Sequence, residues 1–102
     1  MYKLSVAELA HDDLRNIISY IAQTLCAPEA AADFSDEVRK CYAQLKKNPL
    51  IYALCSDERL AKEGYRKALI KNYILVFKID ELKKAVTVLR FFFGAENYPD
   101  KI

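Results

Sequence analysis

The sequence predicts an α+β fold in the order β-α-α-β-β-β, and three features predict it. Three blocks of strand length lie between Tyr65 and Phe93, rich in the β-branched and aromatic residues that suit a pleated, half-buried surface. Two long segments before them repeat apolar residues at helical spacing. A short stretch at the start alternates apolar with polar residues, as a strand with one buried side does.

That first strand is Tyr2 to Val6, with Tyr2, Leu4 and Val6 set against Lys3 and Ser5. A helix follows from about Glu8. Leu14, Ile17, Ile18, Ile21 and Leu25 form its apolar stripe, and Glu8, Asp12 and Asp13 lie in early turns where the helix dipole favours negative charge. Cys26-Ala27 ends it. Pro28 opens a second helix, since its missing N–H has no partner in a first turn. Ala31, Phe34, Val38, Cys41 and Leu45 make the second stripe. Lys46 and Lys47 suit the C-terminal dipole, Asn48 can take a left-handed C-cap and Pro49 blocks continuation. So short a link predicts an antiparallel helix hairpin. Both stripes are what a packed core requires and need no cofactor to explain them.

Leu50 to Gly64 is less regular, with one or two helical turns expected over Asp57–Glu63 and Gly64 releasing the chain. The meander then begins. Lys71-Asn72 suits a two-residue hairpin, with Asn72 able to take the positive φ such turns need, and Asp80 to Lys84 forms a longer solvated turn. Tyr73 to Ile79 is apolar on both faces except for Lys78, which places it at the centre with the helix pair over one face.

A chain of 102 residues is expected to form one domain, 1–102, able to bury a core without metal or disulfide support. No apolar run approaches the roughly 20 residues that span a bilayer, and no secretory leader is evident, so a cytoplasmic protein without membrane contact is expected. The cysteines Cys26, Cys41 and Cys55 lie apart from one another and from His11, the single histidine, so metal-ligand spacing is absent. They read as reduced structural thiols, with a Cys55–His11 catalytic pair the minor alternative. Charge is uneven: residues 1–38 hold two basic and seven acidic side chains, and residues 39–102 hold fourteen basic and seven acidic. A basic C-terminal part suits an acidic partner, or is a solvated face.

Only Gly64 and Gly94 are glycine, so a phosphate-cradling loop is nearly excluded, and no Gly-x-Ser-x-Gly motif or histidine pair is present. The remaining candidates are basic and aromatic: Arg66, Lys67, Lys71, Lys78 and Arg90 on or beside the meander, interleaved with Tyr65, Tyr73 and Tyr98. Strand alternation places Tyr65, Lys67 and Leu69 on one face and Arg66, Ala68 and Ile70 on the other. An arginine on a sheet face can bind phosphate in bidentate fashion, cap a helix, or pair with an acid of the first helix. The residues leave these open.

In this order of elements the chain resembles the RelE/ParE superfamily of bacterial type II toxins. The resemblance rests on Tyr2-Lys3-Leu4, on Asp13-Leu14-x-x-Ile17-x-x-Tyr20-Ile21, on Asn48-Pro49, on Gly64-Tyr65-Arg66-Lys67 leading into Asn72-Tyr73-x-x-x-Phe77, and on Val88-Leu89-Arg90-Phe91 to Gly94 with Tyr98. It implies a toxin held inactive by a cognate antitoxin, with no cofactor. One branch binds DNA gyrase and stalls it, and the other cleaves mRNA on the ribosome by metal-independent acid–base chemistry. Arg66, Arg90 and Tyr98 match the positions that would be catalytic in a nuclease. The same three with Lys67 and Lys71 would contact the target or antitoxin in either branch. Two departures favour the binding branch: Ile74 stands where nucleases usually carry arginine, and Phe93-Gly94-Ala95-Glu96 replaces a His-Gly followed by basic residues. A cleavage site relies on preorganised positive charge at the phosphate, which these replacements remove. The resemblance therefore implies a toxin that acts by binding, with gyrase as the target. A ribosome-dependent mRNA interferase is the alternative, and an antitoxin-binding module without toxicity is a third.

Overall fold

The regular pattern of apolar residues produces the elements in the expected order. In the computed structural model, which describes residues 1–94 and 96–102, β1 (Lys3–Val6) leads into α1 (Glu8–Ser19), which continues as a π-helical turn over Tyr20–Thr24. The chain then forms α2 (Pro28–Lys47), a 3-10 turn at Pro49–Ile51, and α3 (Glu58–Lys62). Strands β2 (Arg66–Ile70), β3 (Tyr73–Asp80) and β4 (Ala85–Phe93) follow, and a 3-10 turn at Tyr98–Lys101 ends the chain. Ala95, part of the segment compared above with His-Gly, lies outside the described residues.

The strands form one sheet in the order β1-β4-β3-β2. The meander β2-β3-β4 is antiparallel, and β1 joins β4 in parallel with Lys3 opposite Ala85 and Val6 opposite Val88. Backbone bonds tie down both ends of β1. Tyr2 donates to the Lys46 carbonyl at the end of α2 (2.8 Å), and Ala7 donates to Val88 of β4 (2.8 Å).

Helices α1 and α2 cover one face. The main core joins Phe34, Val38, Cys41 and Leu45 of α2 to Ala68, Ile70, Leu75, Phe77, Val86, Val88 and Phe91 of the sheet. Leu14, Ile17 and Ile18 of α1 pack against it, and Ile21 is buried within it. Burying an aromatic or branched side chain contributes about 1.5–3 kcal/mol, so this face is the main source of stability. The second face is smaller: Ile74, Val76 and Phe92 pack against Cys55, Leu60 and Tyr98. Helix α3 reaches it with a side-chain cap, since Asp57 accepts from the Leu60 N–H at 3.0 Å. Gly64, at φ 87°, then turns the chain into β2 in a conformation that disfavours any side chain.

Three local expectations are corrected. The π turn adds a residue to the helical ring, with the Leu25 N–H bonding the Tyr20 carbonyl five residues back (3.0 Å). That rotates Leu25 off the stripe, so it is 55% exposed rather than buried. In the β2–β3 turn Lys71 takes the left-handed conformation (φ 56°), not Asn72. Asn72 instead accepts from the Gly94 N–H at 2.8 Å, where a β-carbon on Gly94 would meet that carbonyl oxygen at 3.0 Å. Asn48 sits at φ −153°, ψ 77° rather than in a left-handed cap, because Pro49 restricts the residue before it to extended backbone.

Candidate functional site

The register of the sheet decides which candidate residues share a surface. Arg66 lies opposite Phe77, on the helix-covered face, while Lys67 lies opposite Val76 on the second face. In β4 the alternation slips: Val76 faces Arg90 but Phe77 faces Val88, so Leu89 is an extra residue in the strand. Without that bulge Arg90 would follow Val86 and Val88 into the helix-side core. With it, Arg90 emerges on the second face beside Phe92, the re-aiming that bulges produce. Lys67 and Arg90 therefore flank Val76 in one cross-strand row, about 10 Å apart at two strand spacings. Arg66, expected to act with Arg90, is on the opposite side of the sheet.

Most of these basic residues have a partner of their own. Arg66 Nη1 donates to the Tyr52 carbonyl at 2.6 Å, which fastens the segment before α3 to β2. Lys67 Nζ donates to Ser56 Oγ at 2.9 Å, and Lys78 Nζ sits 4.3 Å from the centre of the Tyr65 ring. Lys71 is exposed at the β2–β3 turn.

Arg90 is held most firmly. Its Nε and Nη2 donate to the two carboxylate oxygens of Asp13 on α1, at 2.7 and 3.1 Å. The Phe91 backbone N–H adds a third bond to the same carboxylate at 3.0 Å. The Phe92 ring lies 5.0 Å from the guanidinium carbon. The Asp13 bond raises the Arg90 pKa above its ordinary value. Nearby, Glu96 accepts from the Phe93 N–H at 2.7 Å and from Lys101 Nζ at 2.7 Å, and the lysine bond leads in lowering its pKa. Strand β1 stops at Val6, so β4 beyond Val88 has no strand neighbour on that side. Asp13 and Glu96 satisfy its outward N–H groups there.

Tyr98 is only 8% exposed, stacked on Phe92 at 5.5 Å between ring centres. Burial comes first and the neighbouring Cys55 thiol second in pushing its pKa to about 12. A phenol so placed holds its proton at neutral pH and faces the core. Ile74, at the position where arginine would mark a nuclease, is likewise a core residue. Cys55 is buried with its pKa raised by that burial, and His11 is exposed on α1, so the two do not form a pair. Among the described residues no three His, Cys, Asp or Glu side chains converge on a point that could hold a metal ion, and no helix is long and apolar enough to cross a membrane.

The sequence gives little notice of a groove between the helix hairpin and the β3–β4 end of the sheet. It has a volume of about 400 Å³ and is lined by Tyr20, Leu25, Phe34, Tyr73 and Phe93, with Lys71 and Asp33 at the rim. Tyr73 stands edge-on to Phe34 and Phe93, at 5.2 and 5.7 Å, and forms its floor. A shallower hollow of about 250 Å³ continues past Tyr20 to Asp13 and Glu96. The π turn creates the groove by releasing Leu25 and Tyr20 from the core. The available signal for Asp13 was its spacing, since Asp13, Ile17 and Tyr20 recur at i, i+4 and i+7 and so place a carboxylate on the sheet-facing stripe.

Comparison with known proteins gives three results. None of the curated proteins compared with the chain matches it. The fold matches the chromosomal ParDE toxin–antitoxin system of P. aeruginosa with a TM-score of 0.71 at 20% identity, covering 91% of this chain and 96% of that one. It also matches the RelBE2 toxin–antitoxin complex of Mycobacterium tuberculosis (TM-score 0.62, 21% identity, 90% and 96% covered) and the intact RelBE complex of E. coli (0.60, 18%, 94% and 100%). At these identities the likeness is one of fold. The family match is direct, over residues 4–98, to the ParE toxin of the type II toxin–antitoxin system parDE, and the chain belongs to that toxin family.

Proposed function

We propose that this toxin acts by binding an essential target, DNA gyrase, without chemistry of its own, and that a cognate antitoxin neutralises it. The observation that carries the reading is the absence of a free acid–base pair among the candidate residues. Tyr98 is buried with its pKa raised, Arg66 is committed to the Tyr52 carbonyl on the other face, and Arg90 is committed to Asp13. General acid–base cleavage needs a proton donor and acceptor within reach of one another and of the substrate. The family match and the apolar groove support a protein partner. The neighbours' complexes with antitoxins support an antitoxin here, bound as an apolar helix in the groove or as an added strand.

The test is a supercoiling assay with purified gyrase. Inhibition at micromolar protein, reversed by antitoxin, is the expected outcome, and unaffected supercoiling counts against gyrase. A second reading, a ribosome-dependent mRNA interferase, is favoured by one observation: Lys67, Lys78 and Arg90 put three cations on the second face. On that reading Lys67→Ala or Arg90→Ala would abolish mRNA cleavage.

A further inference from the structure

We infer that Asp13 is a positioning residue: it grips Arg90 from the side, so that the end of the guanidinium is presented to a carboxylate on a protein partner. This rests on the binding reading above and names the contact chemistry of that surface. The geometry divides the guanidinium in two. Its side, Nε and Nη2, is taken by the Asp13 carboxylate at 2.7 and 3.1 Å. Its end keeps both Nη1 hydrogens and one on Nη2, and among the described residues none has a protein acceptor. Those N–H groups form a second fork with the spacing of a carboxylate. The Arg90 side chain is 27% exposed, enough to be reached from solvent.

Three restraints hold the fork in place before any partner arrives. The β4 bulge brings Arg90 to the second face. Asp13 fixes its rotation, and Asp13 is itself fixed by the Phe91 N–H at 3.0 Å. The Phe92 ring supports the guanidinium plane at 5.0 Å. A side chain ordered in advance loses less freedom on binding, so the contact is stronger than one made by a mobile arginine.

The surroundings choose the partner. Asp13 and Glu96 flank Arg90, and Lys101 is paired to Glu96, so these four groups cancel in charge, and the other cations of this face, Lys67 and Lys78, stand on other strands, Lys67 about 10 Å away. A single, geometrically matched carboxylate fits this site better than a run of phosphates, which would meet the Asp13 and Glu96 carboxylates.

The experiment is a double-mutant cycle read by growth arrest, with wild type, Asp13→Asn, Asp13→Ala, Arg90→Ala and Asp13→Ala/Arg90→Ala expressed to equal levels from a titratable promoter. The ¹H–¹⁵N resonance of Arg90 Nε and the melting temperature are recorded for each purified variant. Asp13→Asn keeps the one oxygen that the Phe91 N–H and Arg90 Nε share, but loses the charge and sets an amide NH₂ against Nη2, which breaks the two-point grip. It is expected to raise the dose for half-maximal arrest by about tenfold, as loss of one charge-assisted contact does. The Nε–H signal should shift and exchange faster in Asp13→Asn, with little change in melting temperature, and should disappear in Asp13→Ala. Asp13→Ala should add nothing once Arg90 is alanine. Full potency of Asp13→Ala with the Nε–H signal lost, or of Asp13→Asn with that signal shifted, would overturn the proposal, as would an Asp13→Ala effect that persists in the Arg90→Ala background. Growth arrest does not depend on which target is hit, so failure of the gyrase assay leaves this result readable.

Discussion

The two faces of the sheet are assembled from different kinds of sequence. On the helix side, Phe34, Val38, Cys41 and Leu45 recur along α2 and meet Ala68, Ile70, Phe77, Val86 and Val88 from alternating strand positions. On the second face, Cys55, Leu60 and Tyr98 come from an irregular segment, a five-residue helix and the C-terminal turn. The first face is continuous and built from long elements. The second is a patch held in part by single contacts, among them the Arg59 Nη2 bond to the Pro99 carbonyl at 2.8 Å. The helix face should therefore carry global stability, and the second face should open locally while the rest of the fold persists.

Phe77→Ala gives the largest expected effect. The ring is fully buried, edge-on to Tyr52 at 5.8 Å, and its removal should cost about 3–5 kcal/mol in urea unfolding with one cooperative transition. Tyr98→Ala should cost less, about 2 kcal/mol, because the tail can detach instead of leaving a cavity. Hydrogen exchange should then rise in residues 96–102 and α3 while β3 stays protected. Equal losses in the two variants, with no local change in exchange, would erase the distinction between the faces.

Alkaline pH sharpens the comparison, because buried phenols lie on both faces. Tyr42 and Tyr52 on the helix side and Tyr98 on the second face all have pKa values raised to about 12, chiefly by burial. An ordinary tyrosine in the unfolded chain loses its proton near pH 10. The stability these groups contribute is thus fully present below pH 10 and falls as pH rises from 10 towards 12, where the unfolded chain binds fewer protons than the native one. Absorbance at 295 nm during a pH titration should show these phenols ionising together with unfolding. Tyr98→Phe should remove part of that late phase without moving the neutral-pH melting temperature by more than a few degrees.

The smallest effect is expected at Leu25. As a stripe residue its replacement by serine would cost 2 kcal/mol or more, on the order of other core truncations. In the groove, at 55% exposure, Leu25→Ser should change stability by no more than about 0.5 kcal/mol while weakening antitoxin binding. Calorimetry of folding and of antitoxin titration separates the two.

These contrasts also explain what could be read in the chain beforehand. The meander, the start of α2 at Pro28 and the central place of β3 follow from local spacing and from residues whose backbone preferences are strong. The fold was legible for that reason, and the toxin family through the resemblance carried by the ordered motifs from Tyr2-Lys3-Leu4 to Tyr98. The π turn was not, because no residue in Tyr20–Thr24 marks a change of helical ring. The β4 bulge was not, because Leu89 reads equally well as a regular strand residue, yet it decides which face Arg90 occupies. The second core was illegible because it joins Cys55, Leu60 and Tyr98, which share no period. Where Arg66, Arg90 and Tyr98, the positions that would be catalytic in a nuclease, come to lie depends on that bulge and that core. The structure instead sets Lys67 and Arg90 in one row, Arg66 on the opposite face and Tyr98 inside.

The central claim is that this toxin arrests growth by binding, without cutting RNA. It is tested most directly by primer extension on an mRNA in a translating bacterial extract, with the protein added at a dose shown to arrest cells. Full-length extension products, unchanged by the toxin, are the predicted result. Breaks at codon-spaced positions, present only on translated message and lost in Arg90→Ala, would contradict the account.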